Sequence, residues 1–150
     1  MPLTANTPVL VIDSSVVVKW YLVDEDSAED ALALRSAFIE GRFRIAMPTI
    51  ARYEIANALI VAHRRQRISQ DQALQAVADV LTWDFAYVGT DELIIAAVDV
   101  AQRFDCALYD AAYLALAEQM GCGFVTADRA LFQKAHAQAS WATWLSTYSY

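Results

Sequence analysis

Four acidic residues, far apart in a chain of 150, hold the chemistry that this sequence offers. Asp13 cuts the apolar run of "VLVIDSSVVVKW" (9–20), which resumes at once with Val16, Val17 and Val18. Glu54 lies in "TIARYEIANALIVAHRRQR", where a helical step of about 100° puts it on one face with Ile50, Ala51, Ala58 and Val61. Ionised carboxylates are seldom buried without compensation. Asn57, at i+3, is the polar neighbour placed to orient this one. Asp110 and Asp128 each stand just before a helical pattern. Taken singly, Asp13, Asp110 and Asp128 are better explained as helix N-caps, the commonest reason for Asp at such positions. Gathered in one place, the four acids mean something else. Two carboxylates about 6 Å apart repel by roughly 3 kcal/mol at an effective dielectric of about 20. Summed over all pairs, that exceeds a domain's net stability of about 5–15 kcal/mol, so such a cluster is protonated or holds cations. An all-oxygen set without His or Cys suits hard ions, Mg²⁺ or Mn²⁺, rather than zinc.

Whether the acids meet depends on the elements that carry them. Strand-like runs recur at "VLVID" (9–13), "FRIAM" (43–47), "FAYVG" (85–89), "GFVTA" (123–127) and, weakly, "WATWL" (141–145). Helical patterns separate them. "DSAEDALALRSAFIEG" has Asp26 and Ser27 as cap residues and ends on Gly41; "SQDQALQAVADVLT" opens with a Ser69-x-x-Gln72 capping box. Thr90 is placed to cap "DELIIAAVDVAQRF", and Asp110 to cap "AAYLALAEQM", which stops at Gly121. With no repeat, low-complexity tract or linker, residues 1–150 read as a single α/β domain with a mostly parallel sheet. In such sheets the working edge is the carboxyl end of the strands. Asp13 and Asp128 end strands there. Glu54 lies two turns into a helix that leaves that edge, and Asp110 begins a helix that must run back from it. All four acids are therefore expected at one edge.

The totals set bounds on this reading. Hydrophobic residues are 57% and charged residues 19%, which excludes a disordered chain and allows a sizeable core. "MPLTANT" has no signal-like pattern, and no stretch is long enough to span a membrane, so a cytoplasmic protein with no membrane partner is expected. Cys106 and Cys122 have no zinc-like spacing and read as ordinary reduced thiols. The net charge of −7 argues at first against a nucleic-acid partner, unless cations gather part of it.

Four motifs, "VIDSSVVVKW", "YEIANAL", "YDAAYLALAEQMG" and "FVTADRALFQKA", resemble those of PIN-domain ribonucleases, most closely the VapC-like toxins of bacterial type II toxin–antitoxin pairs. The resemblance runs from residue 9 to about 145 and places the family's acidic quartet on Asp13, Glu54, Asp110 and Asp128. Ser14 matches the small hydroxyl residue after the first acid; Asn57 and Thr126 take supporting positions behind the acids. The resemblance implies a three-layer α/β/α domain with a five-stranded parallel sheet in the order 3-2-1-4-5. It also implies an endoribonuclease dependent on one or two Mg²⁺ or Mn²⁺ ions, a homodimer, and inhibition by a small antitoxin protein covering the active-site face.

Cations are harder to place. "HRRQR" (63–67) ends a helix roughly 15 Å beyond Glu54, which points to a dimer or partner contact rather than catalysis. Lys19 and Arg129 are better placed to meet RNA phosphates, though each also reads as a solvated side chain. "DED" (24–26) reads as a solvated loop. The rival readings are a receiver-like signalling domain, which lacks its acidic pair and final Lys here, a silent PIN-like module that only binds a partner, and a metal-dependent DNA nuclease. The acids alone do not separate the last from a ribonuclease, because they do not read the 2′-hydroxyl.

Overall fold

A computed structural model describes residues 6–150; the first residues of the "MPLTANT" reading, 1–5, lie outside the described residues. In chain order the elements are β1 (Val9–Ile12), α1 (Ser14–Val18), α2 (Ala28–Ile39), β2 (Arg44–Pro48), α3 (Ala51–Arg64) and α4 (Gln70–Val80). They continue with β3 (Ala86–Val88), α5 (Thr90–Phe104), α6 (Leu108–Met120), β4 (Gly123–Thr126), α7 (Arg129–His136) and β5 (Ala142–Trp144).

The five strands form one parallel sheet in the order β3-β2-β1-β4-β5. Strand β1 is central, with Val11 opposite Ala46 of β2 and Phe124 of β4. Leu10, Val11 and Ile12 are all buried, as are Ile45 to Met47 on β2 and Phe124 and Val125 on β4. Strands without an alternating polar face are those of a parallel sheet covered by helices on both sides, giving three layers. From the central pair the chain leaves toward β2 on one side and toward β5 on the other. The crevice at the carboxyl ends of β1 and β4 is thus where strand order reverses.

Helix α6 is the most deeply packed. Every residue from Ala111 to Ala117 is buried, against β1, β2 and β4 on one side and α5 on the other. A helix enclosed this way needs no polar stripe, and its sequence is apolar nearly all round. It closes on Gly121, whose left-handed backbone (φ +60°) would strain any residue with a Cβ.

Helix starts depart from expectation in three places. Asp110 is not an N-cap: α6 begins two residues earlier at Leu108, with Ala107 in the cap position, so Asp110 lies in the first turn. Thr90 is the first residue of α5 rather than its cap, which is Gly89. Ser27 occupies the cap position of α2 in a left-handed conformation and makes no capping bond; its hydroxyl instead pairs with Ser146 at 2.8 Å. The Ser69–Gln72 capping box forms as read, with both reciprocal bonds in place.

Candidate functional site

At the carboxyl edge of β1 and β4 a cavity of about 400 Å³ opens, and Asp13, Glu54, Asp110 and Asp128 all line it. Four separate elements deliver them. Asp13 follows the last residue of β1, and its backbone N–H continues the ladder onto Val125 of β4 at 2.9 Å. Glu54 lies on the first turn of α3, Asp110 on the first turn of α6, and Asp128 between β4 and α7. Among the described residues, no three acidic, His or Cys side chains stand close enough to share one ion where they now lie. The four acids share the lining of one cavity.

Asp13 is 4% exposed, and its surroundings explain how a carboxylate ends a buried strand. Its Oδ2 accepts hydrogen bonds from Ser15 Oγ at 2.7 Å and from Thr126 Oγ1 at 2.8 Å. Both donors are doubly used. Ser15 Oγ accepts the Ala127 N–H at 3.1 Å, and Thr126 Oγ1 accepts the Asp128 N–H at 2.9 Å. The loop after β4 is thereby fastened to Asp13 through two hydroxyls. Ser14 Oγ is a more distant donor, 3.5 Å from Asp13 Oδ1.

The remaining acids also commit oxygens selectively. Asp128 Oδ1 accepts the Leu131 N–H at 3.0 Å, so this acid does cap a helix, with one oxygen only. Glu54 Oε1 accepts the Tyr113 hydroxyl at 2.6 Å. Asp110 accepts no hydrogen bond among the described residues. Burial, first of all, pushes the carboxyls of Asp13, Glu54 and Asp110 above their ordinary values. Neighbouring negative charge adds to it: Asp128 acts on Asp13, Asp13 and Asp110 act on Glu54, and Asp13 and Asp128 act on Asp110, which reaches about 6. These couplings are the repulsion expected of acids gathered at one edge.

The supporting residues fall out unevenly. Thr126 holds Asp13 and is fully buried. Asn57 is exposed, and Tyr113, not Asn57, binds Glu54. The fully buried stripe of α3 is Ala51, Ile55, Leu59 and Ala62, so Glu54 sits half-buried at its flank rather than on its centre line. Lys19 does line the cavity, where its Nζ pairs with Glu25 Oε2 at 3.2 Å. Arg129 does not; its guanidinium lies over the Trp144 ring, 4.8 Å from the centroid.

Two loops also differ from expectation. Arg67 folds back to Asp24 at 2.8 Å and to Glu25 at 3.1 Å, so the end of "HRRQR" fastens the "DED" loop, and Glu25 belongs to the cavity wall. Ser15, Glu25 and Tyr113 were the residues of this site that sequence reasoning passed over. Only Ser15, two residues from Asp13 in "DSS", left a local signal.

Fold and site together define an α/β domain with an acidic cavity at the strand-order switch of a parallel sheet. The PIN domain pattern matches residues 10–137. Ribonuclease VapC3 of Pyrobaculum aerophilum is 30% identical over 129 residues, covering 83% of this chain and 93% of the relative. The chain belongs to the PIN-domain family and is VapC-like within it. The crystal structure of PAE2754, also from Pyrobaculum aerophilum, superposes with a TM-score of 0.68 at 25% identity, covering 94% of this chain and 86% of that one. VapC20 of Mycobacterium tuberculosis, a toxin that cleaves the sarcin–ricin loop, shares the fold at a TM-score of 0.60 and 16% identity, over 81% of this chain and 92% of its own.

Proposed function

We propose that this protein is an endoribonuclease requiring Mg²⁺ or Mn²⁺, with one or two ions held by Asp13, Glu54, Asp110 and Asp128, and that it is the toxin of a toxin–antitoxin pair. The observation that carries the proposal is the convergence of four carboxylates, from four elements, on one cavity, where burial and then neighbouring negative charge raise the proton affinity of Asp13, Glu54 and Asp110. Divalent cations relieve that repulsion, and a set made of carboxylate oxygens alone fits a hard ion. Three of the acids, Asp13, Glu54 and Asp128, have one oxygen strongly committed to a protein donor, which leaves the other for the cavity. Kinship with a ribonuclease supports RNA as the substrate.

When bound, such ions activate water as a nucleophile, hold the scissile phosphate and stabilise the departing oxygen. The chain's own part is to fix the acids and meet the phosphate. Asp13 is the most rigidly held, by Ser15 and Thr126. Lys19, at the cavity wall, supplies a cation for a backbone phosphate. Ser15 Oγ is spent on Asp13 and Ala127, and burial pushes both Cys thiols up, so none of these three is poised as a covalent nucleophile. His63 and His136 direct Nδ1 to the carbonyls of Ile68 and Ala142.

The partners follow the same reading. Ile94, Ile95, Val98, Leu108 and Tyr109, exposed apolar side chains on α5 and α6, support a homodimer contact. A small antitoxin would cover the acidic face. Among the described residues no helix is long and apolar enough to cross a membrane. A cytoplasmic setting, where RNA is met and Cys106 and Cys122 stay reduced, suits the function.

The test is cleavage of total RNA by antitoxin-free protein with Mg²⁺, Mn²⁺ or chelator, followed by chemical mapping of product ends. Water attack leaves a linear phosphate on one end of the cut and a hydroxyl on the other, only when metal is present. Cyclic 2′,3′-phosphate ends, or cleavage in chelator, would refute the mechanism. Cutting confined to single-stranded DNA would make this a DNA nuclease, and no cutting of either by folded, metal-loaded protein would make it a binding module.

A further inference from the structure

We infer that Tyr113 is a positioning residue for the cation site, holding one oxygen of Glu54 so that the other stays available to the cavity. The inference rests on the reading of the acidic cavity given above and goes beyond it, because Tyr113 is a phenol in the core and does not itself line the cavity.

The geometry is specific. Tyr113 is fully buried on α6, and its hydroxyl donates to Glu54 Oε1 on α3 at 2.6 Å. Its ring packs beside Phe124 of β4, with centroids 6.4 Å apart, so sheet and core fix where the hydroxyl stands. Tyr113 follows Asp110 by three residues, close to one helical turn, so α6 presents both to the same side. The same helix thus supplies one acid of the cavity and orients another.

The physical need is clear from Glu54 itself. It is half-buried at the flank of α3 with three rotatable side-chain bonds. Without an anchor it would lose rotamer freedom on closing around an ion and pay for that in affinity. A phenol held by the core removes that freedom beforehand. Partners behind a ligand characteristically change metal affinity by about 10–100-fold.

A plain structural link between α3 and α6 would show the same hydrogen bond, so the test must read the ion. Mn²⁺ binding is measured by the loss of the free-ion electron paramagnetic resonance signal, for wild type, Tyr113→Phe, Glu54→Ala and the double variant, with the unfolding transition of each recorded. Tyr113→Phe keeps the buried ring and is expected to weaken Mn²⁺ about tenfold. In the Glu54→Ala background the same change is expected to have no further effect, because the phenol acts only through Glu54. Wild-type affinity in Tyr113→Phe, or an equal loss in both backgrounds, overturns the inference and leaves the cation site standing. Failure of the wild type to take up Mn²⁺ overturns the cation site and the inference with it.

Discussion

Replacing Asp110 with Asn should stabilise the metal-free protein at neutral pH and weaken its response to metal. The Asp110 carboxyl is raised from 3.8 to about 6, mainly by burial and then by Asp13 and Asp128. Because the folded value lies above the unfolded one, the folded state binds more protons between the two, and stability falls as pH rises from about 4 to 6. Above that window the loss is complete and flat. About two pH units correspond to a ceiling near 3 kcal/mol. Asp110 is only half-buried, so solvent screening reduces this to about 1 kcal/mol. Asp110→Asn, which carries no charge, should then melt about 2–4 °C above wild type at pH 7.5 in chelator, and the gap should close near pH 4. Saturating Mg²⁺ should reverse the order, since an ion at 100 times its Kd adds about 2.7 kcal/mol to the protein that binds it. Thermal unfolding followed by circular dichroism across pH 4–8, with and without Mg²⁺, reads all of this. An Asn variant no more stable than wild type in chelator at pH 7.5, or equal stabilisation of both by Mg²⁺, would refute the electrostatic account.

Thr126→Val keeps the shape of a fully buried side chain but removes a donor to Asp13 and the acceptor of the Asp128 N–H. Urea denaturation should register a loss of about 1–3 kcal/mol, and cleavage should fall with it. Ser69→Ala breaks the capping box of α4, far from the acids, and should cost about 1 kcal/mol in the same assay while cleavage per folded molecule is unchanged. Lys19→Met should raise KM for RNA and make its logarithmic dependence on salt shallower by roughly 0.7, as expected for one lost phosphate contact to a single strand.

Much of this architecture was legible because it rests on local pattern. The unbroken apolar runs of β1, β2 and β4 mark a covered parallel sheet, and from that the carboxyl-edge rule brings Asp13, Glu54, Asp110 and Asp128 to one cavity. What escaped depends on tertiary contact. Tyr113 meets Glu54 across 59 residues of sequence, and Arg67 meets Asp24 across 43, and neither pairing leaves a periodic trace. Asn57 looked like the partner of Glu54 because i+3 neighbours share a face, but the core side of α3 is centred on Ile55 and Leu59 and turns Asn57 outward. Asp110 resembled a cap because Asp favours caps, yet α6 starts at Leu108. Its place in the first turn leaves its carboxylate free for the cavity.

The central claim, that the acids at the sheet edge cut RNA by way of a bound cation, is tested most directly by one charge-removing, shape-preserving change. Asp13→Asn is compared with wild type and with Asp91→Asn, an exposed acid on the first turn of α5, for cleavage of total RNA in Mg²⁺ and in chelator. The account predicts discrete products from wild type and Asp91→Asn in Mg²⁺, none in chelator, and none from Asp13→Asn although it remains folded. Undiminished cleavage by Asp13→Asn would contradict it.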